Sequence, residues 1–160
     1  MSDAKVALVT GASRGIGAAI ARRLSEDHFV VGTATTADGA AVIDAALSGS
    51  GRGLEMRVDD DQSVDEALGA LGADEQLPAI LVNNAGVTAD NLLMRMKSEE
   101  WNSVIETNLG GLFRVVKPCL RSMMRARWGR IVNISSVVAR MGNPGQGNYV
   151  TSKAGIEGFT

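Results

Sequence analysis

A hydroxyl, a phenol and an ammonium stand near the end of this 160-residue chain as Ser136, Tyr149 and Lys153. Tyr149 is the only tyrosine, and Lys153 follows it by four positions. If Tyr149 opens a helix, that spacing puts both side chains on one face, one turn apart. A phenol has an ordinary pKa of about 10, too high for acid–base work at neutral pH. An ammonium beside it favours the phenolate and brings that value down. Ser136 could then hydrogen-bond a substrate carbonyl beside Tyr149. Taken alone, the Tyr149/Lys153 pair reads equally well as a surface tyrosine at a helix start with a solvated lysine.

A second feature lies at the other end. Thr10-Gly11-Ala12-Ser13-Arg14-Gly15-Ile16-Gly17 follows a short apolar run. Glycines let a backbone turn tightly and let a pyrophosphate approach it, and a following helix offers free N–H groups and a positive dipole end. The spacing is G-x-x-x-G-x-G, not G-x-G-x-x-G, and a glycine turn by itself can merely join strand to helix. An NAD site usually places an acid at the end of the second strand, against the ribose hydroxyls. Here that strand ends Gly32-Thr33-Ala34-Thr35-Thr36, without an acid, and Arg14 is available for a 2′-phosphate. Asp38 is the competing acid, but it lies beyond the strand and reads better as a helix cap. NADPH is the expected cofactor.

Elements that would position these groups can be read from periodicity. Short apolar runs predict strands at 5–10, 30–35, 53–58, 79–83 and 130–134. Between them, 18–27 reads as a helix, as do 38–47 with Asp38 as cap and 63–71 with Ser63 and Glu66 as a capping box. Residues 98–126 predict a long helix bent near Asn108–Gly111 and again at Pro118. Residues 135–148 predict a loop, and Tyr149 opens a further helix. Strands that alternate with helices and are apolar throughout predict an α/β fold: a parallel sheet covered on both faces. No following strand is present after Tyr149, so the chain is expected to end inside an element.

Composition narrows the function. The chain is 45% hydrophobic and 21% charged with net charge −2, which suits one soluble globular domain over 1–160 and points to neither nucleic acid nor an anionic membrane. No apolar run approaches spanning length, and the first residues do not form a secretory signal. Cys119 and His28 are each alone, so neither a disulfide nor a metal site built on His and Cys is expected. His28 reads as a helix end. Asp59-Asp60-Asp61 reads as a cap and loop, not a metal site. Arg114, Lys117, Arg121 and Arg125 recur at helical spacing, with Arg127 and Arg130 following. They read as a solvated helix face or as a dock for an acidic partner. Met94, Met96, Met123 and Met124 read as core or subunit-contact residues.

In combination, TGASRGIG at 10–17, NNAG at 83–86, Asn108, Ser136, Tyr149 and Lys153 resemble the short-chain dehydrogenase/reductase family. More narrowly, DNLLMRMK at 90–97, EEWN at 99–102, ETNL at 106–109 and Met141-Gly142-Asn143 through Asn148-Tyr149 resemble the bacterial 3-oxoacyl-[acyl-carrier-protein] reductases. The likeness covers essentially the whole chain.

That resemblance implies a doubly wound, Rossmann-type sheet in three α/β/α layers, cut after the fifth strand and the start of the next helix, with the C-terminal third missing. It implies NADPH-dependent reduction of a 3-oxoacyl group on acyl carrier protein in fatty-acid synthesis, by a cytoplasmic homo-tetramer. Alternatives are a reductase of a coenzyme A thioester or small ketone, or a non-catalytic nucleotide-binding module for these residues alone. By position, Gly11, Ser13, Arg14, Gly15, Ile16 and Gly17 would border the cofactor phosphates and ribose. Thr35 would lie by the adenosine phosphate, Val58 by the adenine, and Asn84 and Gly86 by the adenosine ribose. Asn108, Ser136, Tyr149 and Lys153 would be catalytic, the last two also meeting the nicotinamide ribose. Three positions depart from the pattern: Arg57 replaces Asp or Asn near the adenine, His28 a helix-ending glycine, and Ala89 an arginine of the substrate-side loop.

Overall fold

The computed structural model of the chain describes residues 5–73 and 77–160. Five parallel strands, β1 (Val6–Val9), β2 (Phe29–Ala34), β3 (Gly51–Glu55), β4 (Ile80–Asn83) and β5 (Arg130–Asn133), pair in the order β3-β2-β1-β4-β5. The chain winds outward from β1 in one direction and then, from β4, in the other. It is a doubly wound sheet of the Rossmann type, and the order reverses between β1 and β4, where such sheets open a crevice at their C-terminal edge.

Side chains alternate across the sheet and build a core on each face. Leu8, Val31 and Leu81 face one way and pack with residues of α3 (Asp61–Ala73) and α5 (Gly111–Ala126). Ala7, Val9, Val30 and Val82 face the other way, against α1 (Gly15–Leu24) and α2 (Ala37–Leu47). Both faces are apolar, as a buried parallel sheet requires.

Several expected boundaries move. β3 begins two residues early and ends at Glu55, short of Val58. Gly51 lies outside the expected strand, but it pairs with β2 as Gly53 does, and α2 lies directly on them: a Cβ at Gly53 would run into the Ala40 carbonyl oxygen. α1 starts at Gly15 and stops at Leu24, with the His28 N–H closing back on Leu24 O at 2.9 Å. Thr36 caps α2, its Oγ1 accepting the Gly39 N–H at 3.1 Å, so Asp38 lies in the first turn and is not the cap. Asp60 accepts the Ser63 N–H at 3.2 Å and α3 opens at Asp61. The expected Ser63–Glu66 box does not form, because Ser63 Oγ accepts the Arg57 N–H and Glu66 accepts from the Gln62 side chain. The 98–126 helix is continuous but changes pitch: α4 (Ser98–Ile105) passes through a π-helical turn at Glu106–Gly110 into α5, and Pro118 lies inside α5 without ending it. The expected 135–148 loop contains a short helix, α6 (Val138–Met141), and the last helix, α7 (Gly147–Phe159), opens two residues before Tyr149.

Candidate active site

The glycine turn is tied down by polar groups on its neighbours. Thr10 Oγ1 accepts the N–H groups of Asn84 and Ala85, both at 3.0 Å. Asn84 Nδ2 donates back to the carbonyls of Thr10 and Gly11, also at 3.0 Å. Thr33 on β2 holds the far side, accepting the Ala12 N–H through its carbonyl at 2.8 Å. Gly11 sits at φ +66°, and a Cβ there would meet Ala85 Cα at 3.0 Å. A Cβ at Gly17 would strike the Gly11 carbonyl oxygen, so Gly17 lets α1 close onto the turn.

Above this turn lies a cleft of about 870 Å³. Gly11, Ser13, Arg14, Gly15 and Ile16 line it from the turn, Thr35 from the end of β2, Val58 from the segment after β3, and Asn84 and Gly86 from the end of β4. Nine of the expected cofactor residues therefore share one cavity, and Gly17 supports it from behind. The cavity fits a dinucleotide on its own evidence. Its floor admits no side chain at Gly11, it opens at a helix N-terminus, and the exposed Arg14 side chain makes no hydrogen bond or ion pair among the described residues.

The second group is assembled by α7. Lys153 is buried, with Nζ 5.6 Å from the centre of the Tyr149 ring and donating to Ile134 O at 2.7 Å. Burial pushes its amine below the ordinary lysine value. Ile134 follows β5 directly, so the sheet positions this lysine. Ser136 lies two residues further on, its Oγ accepting the Val138 N–H at 3.4 Å. Among the described residues, no hydrogen bond joins Ser136 to Tyr149.

Asn108 stands in the π-helical turn and is almost fully enclosed at 2% exposure. Its Oδ1 accepts the Val87 N–H at 2.8 Å, and its Nδ2 donates to Val87 O and to Ser152 Oγ, both at 3.0 Å. All its amide hydrogens are thus engaged in joining the loop after β4 to α7. A π-turn leaves carbonyls without their usual partners, and such turns recur at functional sites.

Four contributors escaped the sequence reading. Thr10 and Thr33 brace the turn, Ser152 links Asn108 to the Tyr149 carbonyl, and Asn148 donates to Ala89 O at 2.9 Å and Glu100 O at 3.1 Å while accepting the Tyr149 N–H. Buried asparagine and serine beside the expected tyrosine were the available signal, since buried polar groups need partners.

The other expectations resolve by contact. Asp59 pairs with Arg57, Asp60 serves α3, and Asp61 pairs with Arg114, so the three aspartates are spent separately. Arg114 also holds Glu106 at 2.7 Å, which removes it from the open basic row, while Arg121 and Arg125 are exposed. Met123 belongs to the core, whereas Met94 and Met124 are exposed.

Comparison with known proteins agrees with this geometry. The chain is 53% identical over 159 residues to the 3-oxoacyl-[acyl-carrier-protein] reductase FabG of Escherichia coli (strain K12), and likewise 53% identical to that of Vibrio harveyi. It is 54% identical over 160 residues to the protein of the same name from Pseudomonas aeruginosa. These alignments take in 98–99% of the chain, and the chain spans 65% of the length of each relative. The family model for the short chain dehydrogenases matches residues 5–160, and the chain belongs to that family.

Proposed function

We propose that the chain carries the nucleotide cleft and the reacting groups of an NADPH-dependent reductase of 3-oxoacyl-[acyl-carrier-protein], acting in fatty-acid synthesis. The carrying observation is that α7 presents Tyr149 and the enclosed Lys153 together, behind a cleft suited to a dinucleotide. NADPH, when bound, supplies the hydride that reaches the ketone carbon. Ser136 Oγ orients the carbonyl by donating to its oxygen, and the Tyr149 hydroxyl gives that oxygen its proton. The Lys153 ammonium stabilises the negative charge left on the phenol and reaches the nicotinamide ribose. Asn108 keeps the π-turn and α7 in register beneath these groups.

Cofactor choice rests on Arg14 and on the acid-free end of β2 at Thr35. Acyl carrier protein as partner rests on the names of the relatives and on the exposed cations Arg121, Arg125 and Arg127. A homo-tetramer and a cytoplasmic location belong to the same reading. Exposed Phe113, Leu120 and Met124 on α5 suit a subunit contact, and no helix among the described residues is long and apolar enough to cross a membrane. NADPH oxidation with an acetoacetyl thioester of carrier protein tests the proposal. Tyr149→Phe should lower that rate by about 100-fold or more, the usual worth of a positioned acid. An unchanged rate would remove Tyr149 from the chemistry, and equal rates with the coenzyme A thioester would remove the carrier protein.

A further inference from the structure

The end of β2 has a charged neighbour that the reading above leaves unused. Ala34 pairs with Glu55, and the Met56 N–H continues the ladder to Ala34 O at 2.8 Å. One residue on, Arg57 lines the same cleft as Thr35 and Thr36, the residues that follow β2. In doubly wound sheets that strand end meets the adenosine ribose. The main chain of Arg57 is pinned, its N–H donating to Ser63 Oγ at 2.9 Å. Its side chain is 57% exposed and, among the described residues, hydrogen-bonds Asp59, through Nη2–Oδ2 at 3.3 Å and Nε–Oδ1 at 3.4 Å, with the Asp60 carboxylate a further negative charge nearby. Among the described residues, Arg14, Arg57 and Asp59 are the charged residues lining the cleft, two guanidinium groups to one carboxylate.

We propose that Arg57 is a second reader of the NADPH 2′-phosphate, parked on Asp59 until the phosphate takes it over. The inference rests on the NADPH reading. An exposed ion pair holds its partners by about fivefold or less. A charge-assisted contact to phosphate gives about tenfold or more, and the planar guanidinium can meet two phosphate oxygens at once. The exchange therefore favours the phosphate. Asp59 keeps the guanidinium engaged when the cleft lacks a 2′-phosphate, which lowers the attraction of nucleotides without one.

Calorimetric titration of the chain with adenosine 2′,5′-bisphosphate and with adenosine 5′-monophosphate tests this without turnover. Arg57→Ala should weaken the bisphosphate by about five- to tenfold and the monophosphate by less than about twofold. Asp59→Asn should tighten the bisphosphate by about two- to fivefold, and that gain should vanish in the Arg57→Ala background. Equal weakening of both nucleotides by Arg57→Ala would overturn the proposal, because Arg57 would then be shaping the cleft or stacking on the base. A gain from Asp59→Asn that survives without Arg57 would overturn the parking, leaving Asp59 as a direct repeller of phosphate. A preference lost in Arg14→Ala but intact in Arg57→Ala overturns Arg57 alone. No preference in the unmodified chain would overturn the NADPH reading and Arg57 with it. Both side chains are exposed, so unchanged melting temperatures identify variants that remain folded.

Discussion

Lys153 is 4% exposed, and the described hydrogen bond of its ammonium goes to Ile134 O. Burial disfavours its charged form, so its folded pKa lies below the ordinary lysine value. Between those two values the unfolded chain binds more protons than the folded one, and stability rises with pH across that window. Cys119 has the opposite sign: burial pushes its thiol up to about 12. Above the ordinary thiol value of about 8.5 the unfolded chain has fewer protons, and stability falls with pH until about 12. The two effects overlap and oppose each other. Urea midpoints compared at about pH 7 and about pH 10 should therefore change more favourably with pH in Cys119→Ala than in the unmodified chain, and less favourably in Lys153→Met. Superimposable pH profiles for all three would show that neither group titrates differently on folding.

At the scale of elements, glycines separate by what lies above them. Gly17 on α1 has the Gly11 carbonyl where its Cβ would go, and Gly69 on α3 has nothing within 4 Å. Gly17→Ala should cost about 1–3 kcal/mol by forcing the turn outward, and it should weaken adenosine bisphosphate binding at the same time. Gly69→Ala should stabilise by about 0.5–1 kcal/mol, the ordinary preference for alanine in a helix, and leave binding unchanged. Urea denaturation of the two variants checks this, and a similar loss in both would mean that Gly17 is not a contact glycine. The same contrast explains what the sequence made legible. The parallel, doubly covered sheet followed from apolar runs between helices, and the place of the cleft followed from the glycine turn. Gly51 was left outside the strand because its closeness to Val30 is tertiary. The π-helical turn at Glu106–Gly110 was anticipated only as a bend, since its ring of contacts from Asn108 to Val87 and Ser152 joins residues 21 and 44 positions apart.

Across the whole molecule, the cleft and the thiol are far apart in role but share one sheet. Cys119 is fully enclosed in the core between α3, α5 and the strands, whereas the nucleotide would sit at the C-terminal edge, on the turn between β1 and α1. If residues 1–160 form a single nucleotide-binding domain, as we propose, the thiol can react only when that shared sheet opens. A nucleotide that binds the folded chain alone then protects the thiol by the factor 1 + [L]/Kd, about 100-fold at a concentration of 100 Kd. Labelling of Cys119 by a thiol reagent, under conditions where closing outruns labelling, should slow by that factor as adenosine 2′,5′-bisphosphate is added. The same dependence should be recovered with the Kd measured by titration. Labelling that is slow but indifferent to nucleotide would show that the α5 core opens while the cleft stays intact, and would divide the chain into two units of separate stability. Fast labelling at all nucleotide concentrations would contradict the burial of Cys119 itself.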